Sequence, residues 1–136
     1  MAVRTDDELR DILQRTETIA VVGCSSTPGK AAHDVPKYLL EQGYDVVPVN
    51  PYADEIFDRR TYDSLADVPP GVDVVDVFRP SEETGEIVDA AIERDDVDTI
   101  WLQLDITNDA AGERAESADK RIVQDRCLKV EHRRLQ

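Results

Sequence analysis

Short apolar runs, each cut off by a turn-forming residue and followed by a segment of helical spacing, constrain this chain more than any other feature. Thr18-Ile-Ala-Val-Val-Gly23 is the first such run, Asp45-Val-Val-Pro-Val49 with Asn50-Pro51 the second, and Val72-Asp-Val-Val-Asp-Val-Phe78 with Arg79-Pro80 the third. Thr99-Ile-Trp-Leu-Gln103 is a fourth, and Arg121-Ile-Val-Gln124 a weaker fifth. Runs this short and continuously apolar read as strands buried on both faces. Between them, residues 31–42 carry Val35, Tyr38, Leu39 and Leu40 at helical spacing, ended by Gly43. Ser81, Glu83 and Thr84 open a second helix with Ile87, Val88, Ala91 and Ile92 as its buried stripe. An alanine-rich helix is expected over 108–118, and a leading helix over 6–15 with Thr5 as its cap.

Strands alternating with helices at this period predict an α/β fold: a Rossmann-like, doubly wound sheet of about five parallel strands with helices on both faces. The length fits a single domain, 1–136. Such sheets bind ligands outside the carboxyl ends of their strands, where the strand order reverses. The loops following the strands should therefore gather along one edge: residues 23–30, Asn50-Pro51, Arg79-Pro80 and 103–107.

Thirty acidic residues against sixteen basic ones leave a net charge of -14, and the only lysines are Lys30, Lys37, Lys120 and Lys129. A field of that sign disfavours nucleic acid and anionic membrane, whose binding rests on basic contacts. It also reads as a salt-adapted surface, one whose self-repulsion is relieved when salt screens it. No apolar run reaches the roughly 18 residues of a membrane span. Residues 1–15 are charged and lack a signal peptide's apolar stretch, so the expected location is cytoplasmic. Two cysteines and two distant histidines, His33 and His132, offer neither a disulfide framework nor zinc spacing, and no metal is expected.

The loop Gly23-Cys-Ser-Ser-Thr-Pro-Gly-Lys30 has the makings of a phosphate site. A glycine lets the backbone approach closely, Ser25, Ser26 and Thr27 offer hydroxyls, and the following helix adds its N-terminal dipole. Five residues separate Gly23 from Gly29, and Ala31 stands where a Walker loop needs its magnesium-binding hydroxyl. Ser25 and Pro28 occupy the second and third glycine positions of the dinucleotide fingerprint, and the second strand ends in Asn50 rather than an acid. Both triphosphate hydrolysis and nicotinamide cofactors are disfavoured. Asn50 either fixes the turn before Pro51 or touches ligand. Cys24 either fills the turn or, beside a helix N-terminus, reacts. Trp101 is expected in the core.

The stretches Val21-Val-Gly-Cys-Ser-Ser26, Gly43-Tyr-Asp-Val-Val-Pro-Val-Asn-Pro51, Val75-Asp-Val-Phe-Arg-Pro80, Trp101-Leu-Gln103 and Asp125-Arg-Cys127 span nearly the whole chain in order. Together they resemble the small stand-alone CoA-binding protein family, related to the CoA-binding N-terminal domain of the succinyl-CoA ligase α-subunit. The resemblance implies coenzyme A as the ligand. It implies that Gly23, Cys24, Ser25 and Ser26, with Lys30, hold the phosphates. Val49, Asn50, Pro51, Phe78, Arg79 and Pro80 would flank the adenosine, and Gln103 and Leu104 would line the path of the pantetheine arm. Two positions depart from the family pattern: Asp105 where glycine is usual, and Leu128 where proline is usual. A carboxylate at 105 would repel bound phosphate unless it faces solvent or takes a left-handed backbone.

The expected function is that of a binding module for CoA or acyl-CoA with no chemistry of its own, since no nucleophile-base constellation can be assembled. Two other classes stand beside it. One is an enzyme, either a nicotinamide-dependent oxidoreductase or a thiol-exchange protein using Cys24. The other is a regulator that reports CoA to an unidentified protein partner.

Overall fold

The computed structural model describes residues 5–136. Its elements run α1 (Asp6–Arg15), β1 (Thr18–Val22), α2 (Ala31–Glu41), β2 (Asp45–Val49), β3 (Glu55–Ile56), β4 (Arg59–Arg60), β5 (Val74–Val77), α3 (Thr84–Ile92), β6 (Thr99–Leu102), α4 (Asp109–Ser117), β7 (Arg121–Val123) and α5 (Leu128–Leu135), with 3-10 turns at Leu65–Asp67 and Ser81–Glu83. Five strands form one parallel sheet in the order β2-β1-β5-β6-β7. The chain thus begins near the middle, moves outward to β2, and returns to the other side at β5. The order reverses between β1 and β5.

Alternation along each strand divides the core into two layers. Ile19 and Val21 of β1, Val74 of β5 and Trp101 of β6 face the layer covered by Leu9 and Ile12 of α1, Val35 and Leu39 of α2, and Leu128 of α5. Ala20, Val22, Val75, Val77, Ile100 and Leu102 face the opposite layer, closed by Val88 and Ala91 of α3 and Ala111 and Ala115 of α4. Both faces are buried, which is why the strands show no polar alternation. The edge strand β2 tolerates Pro48, which could not donate to a central ladder. Trp101 is fully buried, and its indole N–H donates to Arg126 O at 2.8 Å.

Three elements depart from the expectation. The third strand is shorter, Val74–Val77; ahead of it Asp73 still bonds through its backbone to Thr18 and Thr99, and its carboxylate accepts the N–H groups of Glu17 and Thr18 at 2.9 and 3.0 Å. A small hairpin, β3–β4, follows β2 and lies across its outer edge, where Tyr62 N donates to Pro48 O and Asn50 N to Tyr62 O. The chain also ends in an unanticipated helix, α5, which docks on α1 and α2. Beside the apolar contact of Leu128, its ties are ionic and polar: Arg134 spans Asp6 and Glu131, and Tyr38 hydroxyl meets His132 Nδ1 at 2.7 Å.

Candidate functional site

The reversal between β1 and β5 puts the loop after β1 against the loop after β5, and the contact is close. Gly23 has φ +86, and a Cβ there would lie 2.8 Å from Arg79 Cδ. Glycine at 23 therefore serves two ends: a left-handed turn out of β1, and room for the Arg79 stem to cross it. Gly23 N also donates to Val49 O at 3.0 Å, which ties the same turn to the end of β2.

Asn50 fixes the next junction. Its Nδ2 donates to Cys24 O at 2.9 Å, and its Oδ1 accepts from Tyr52 N at 2.7 Å. One side chain thus holds the loops after β1 and β2 together. Of the two roles open to Asn50, the turn-fixing one is occupied.

Between these loops and α3 lies a cavity of about 400 Å³. Gly23, Val49, Asn50, Pro51 and Arg79 line it, so five of the residues singled out from sequence meet in one place. The far wall comes from residues that the sequence did not mark as part of a site: Asp63 to Ala66 on one side, and Glu83, Glu86, Ile87 and Ala90 on the other. Ile87, expected in the buried stripe of α3, is half-buried and borders the cavity. Tyr52, 95% exposed, stands at the cavity's edge, presented by a turn that Asn50 has already fixed.

The loop over 23–30 leaves the sheet edge toward solvent. Ser25 N donates to Ala32 O at 3.0 Å, and the Ser25 hydroxyl accepts from Thr27 N at 3.1 Å. His33 Nδ1 meets Ser25 O at 2.8 Å, so the ring carries its proton on Nδ1 and anchors the loop. His33 also packs on Phe57 of the hairpin turn, ring centroids 4.7 Å apart. Gly29 N donates to Asp34 Oδ1 at 3.2 Å. Ser26 and Lys30 are both exposed; among the described residues the Ser26 N–H and hydroxyl and the Lys30 ammonium meet no partner. Those donors, with the opening turn of α2 that Lys30 caps, are what this edge offers an anion.

Other expected residues take different parts. Cys24 is fully buried, packed in the layer beneath α2, so only its backbone reaches the edge. Burial and the neighbouring Asp76 carboxyl push its thiol up to about 12, far from the thiolate that exchange chemistry needs. Gln103 is likewise buried, and its Oε1 accepts from Leu128 N at 3.1 Å. It caps the start of α5 and does not line an open path. This also explains how leucine serves at position 128, the first residue of α5, where proline's missing N–H is usually tolerated. Leu104 is exposed, Phe78 is half-buried against the α2 layer, and Pro80 is exposed. Asp105 is exposed with φ +67, the third residue of a turn closed by Ile106 N and Gln103 O, and Asp125 Oδ1 holds its N–H at 2.7 Å. The Asp105 carboxylate thus stands exposed to solvent on a left-handed backbone.

Beneath the site sits Asp76, in the middle of β5 between Val21 and Trp101 on the neighbouring strands. It is fully buried, and among the described residues neither carboxyl oxygen has a hydrogen-bond partner. Burial alone pushes its carboxyl well above the usual range. Among the described residues no group of three or more His, Cys, Asp or Glu side chains is placed to hold a metal ion, and no helix is long and apolar enough to cross a membrane.

Residues 17–133 match the model of the CoA binding domain family. The uncharacterized protein YneT of Bacillus subtilis is 34% identical over 125 residues, covering 92% of each chain. Acetate–CoA ligase [ADP-forming] II of Archaeoglobus fulgidus is 33% identical over 86 residues, 62% of this chain but only 13% of the ligase. Among solved structures, a hypothetical protein from Pyrococcus horikoshii OT3 superposes with a TM-score of 0.93 at 42% identity, covering 97% of this chain and 92% of that one. The dinucleotide-forming acetyl-coenzyme A synthetase 1 of Ca. Korarchaeum cryptofilum gives 0.65 at 29% identity, over 78% of this chain and 25% of the synthetase.

Proposed function

The chain belongs to the CoA binding domain family, and from that premise we propose that it holds CoA or acyl-CoA by the adenosine-diphosphate end and carries out no reaction on it. The observation that carries the proposal is the junction of Gly23, Asn50 and Arg79 around one cavity at the strand-order reversal. Its volume of about 400 Å³ lies within the ordinary range for small-molecule sites. The nucleoside enters that cavity. The diphosphate lies along Ser26, Lys30 and the start of α2, where unpartnered donors meet a helix N-terminus. The thiol arm then leads away from the cavity toward solvent, and the site is indifferent to what the thiol carries.

The absence of turnover is supported by Cys24: a thiol fully buried and pushed up to about 12 is a poor nucleophile at neutral pH. One observation favours a second ligand class. Asp63, Glu83 and Glu86 line the cavity, and carboxylates of this kind hold the ribose hydroxyls of dinucleotides. A nicotinamide dinucleotide is therefore the competing occupant.

Calorimetric titration tests the proposal. CoA and acetyl-CoA should bind with equal affinity within a factor of about two, because the acyl group lies far from the phosphate loop. Lys30→Ala should weaken both by about 1.5–3 kcal/mol, the worth of a hydrogen bond to a charged group. A large preference for one thioester, or an unaltered affinity in Lys30→Ala, contradicts the assignment.

A further inference from the structure

The wall of the cavity is acidic, and the one guanidinium among the described residues that line it is already engaged. Arg79 lines the cavity together with Asp63, Glu83 and Glu86. Its head is forked onto Glu83: Nε to Oε1 at 3.2 Å, Nη2 to Oε1 at 3.1 Å and Nη2 to Oε2 at 2.9 Å. Both side chains are about half exposed, at 46% and 48%, so ligand can reach the pair. The stem crosses close over Gly23. The head can change partners while the stem stays.

We propose that Glu83 is a resident competitor for the phosphate-binding fork of Arg79, a latch that a ligand phosphate must displace. The inference rests on the nucleotide reading of the cavity and adds the residue that sets its affinity. A phosphate presents the same paired oxygens to a guanidinium as a carboxylate does, with more charge when terminal. Displacement is easy on Glu83's side. The residue sits at the N-terminus of α3, where the helix dipole continues to stabilise a carboxylate released from its arginine. It is hard for weakly charged ligands: with the latch closed, an arriving group meets three carboxylates and, among the described residues that line the cavity, no cation free of a carboxylate. The pair thus selects for phosphate over neutral or singly charged groups, and lowers affinity for every ligand that needs Arg79.

The test is equilibrium titration with CoA and with dephospho-CoA in molar KCl, where screening within about 3 Å removes the general effect of deleting a distant charge. Glu83→Gln should tighten CoA binding by roughly threefold, in line with an exposed ion pair. Arg79→Gln should weaken it by about tenfold or more, as expected on losing a charge-assisted fork. In an Arg79→Gln background, Glu83→Gln should have less than about half its effect in the parent chain, because the latch then holds nothing. A gain that disappears with dephospho-CoA assigns the displaced carboxylate to the 3′-phosphate; a gain that persists assigns it to the diphosphate. If the parent chain binds CoA and Glu83→Gln leaves its affinity unchanged or weaker, the latch is overturned and the nucleotide reading stands. If the parent chain binds no CoA, both fall.

Discussion

Replacing Asp76 by asparagine should stabilise the domain, and by an amount that grows with pH. The side chain is fully buried in the central strand and meets no donor among the described residues. An unpartnered polar group in such a place costs about 1–3 kcal/mol even when neutral, and a bare charge costs far more. Folding therefore keeps the carboxyl protonated, as its strongly raised pKa records. The unfolded chain has no such constraint and ionises near the usual value of about 3.9. For a group whose folded pKa is raised, stability is fully present below the unfolded value and is lost as pH rises toward the folded one. The slope is that of one proton, about 1.4 kcal/mol per pH unit. An asparagine side chain has the same shape and never ionises.

The difference in unfolding free energy between Asp76→Asn and the parent should therefore widen by about 1.4 kcal/mol per pH unit above the ordinary carboxylate range, for as long as Asp76 stays protonated in the native state. In a domain of this size each kcal/mol moves the melting point by about 3–6 °C. Parallel scans of the two proteins, in molar KCl at several pH values, give the difference directly. The subtraction removes the other titrating groups. Asp6, Asp11 and Asp96 are held low by arginines, and Glu131 is held low by Arg134 and Arg126 against the opposing effect of its burial. Their contribution is present above the ordinary carboxylate range and is lost on acidification. His132, lowered by burial, also loses its contribution as pH falls. Two melting curves that stay parallel across this window would refute the assignment of a buried, neutral carboxyl.

Three further outcomes follow from the same structure. Phe57 and Asp58 both have positive φ, at 58° and 59°, in the two-residue turn between β3 and β4, so Asp58→Gly should raise stability by about 1 kcal/mol in thermal unfolding. Arg94 donates to Leu65 O, Val68 O and Pro69 O at 2.8–2.9 Å and pairs with Asp96, which accepts from Gly71 N and Val72 N. Arg94→Ala should cost about 2–3 kcal/mol in urea unfolding and should also weaken ligand binding, since Leu65 and Ala66 line the cavity. The net charge of -14 predicts a melting temperature that rises with KCl from dilute to molar concentration; a flat or falling trend would remove the case for salt adaptation.

The sheet was legible because its strands are buried on both faces, leaving unbroken runs such as Thr18–Val22 and Thr99–Leu102 bounded by clear stop signals. The hairpin was not, because its strands are two residues each and its turn uses Phe57 and Asp58 where a glycine would have marked it. Helix α5 escaped because it buries only Leu128 and Glu131, and the second is a carboxylate held by Arg126 and Arg134. At the site, glycine chemistry at 23 and the Asn50-Pro51 turn could be read from residue type. The acidic wall could not, because Glu83 and Glu86 look like any solvated helix start until α3 is placed against the end of β2. The resemblance assigns Gln103 and Cys24 to the ligand, but their side chains turn inward for reasons of capping and packing.

The central claim is that the cavity at Gly23, Asn50 and Arg79 takes the adenosine end of CoA. A melting scan in molar KCl with CoA, NADH and ATP in separate arms tests it most directly. CoA at about 100 times its dissociation constant adds roughly 2.7 kcal/mol to the native state, a rise of several degrees for a domain of this size. The account predicts that rise with CoA and at most a small one with NADH or ATP. A rise with NADH or ATP and none with CoA would contradict it.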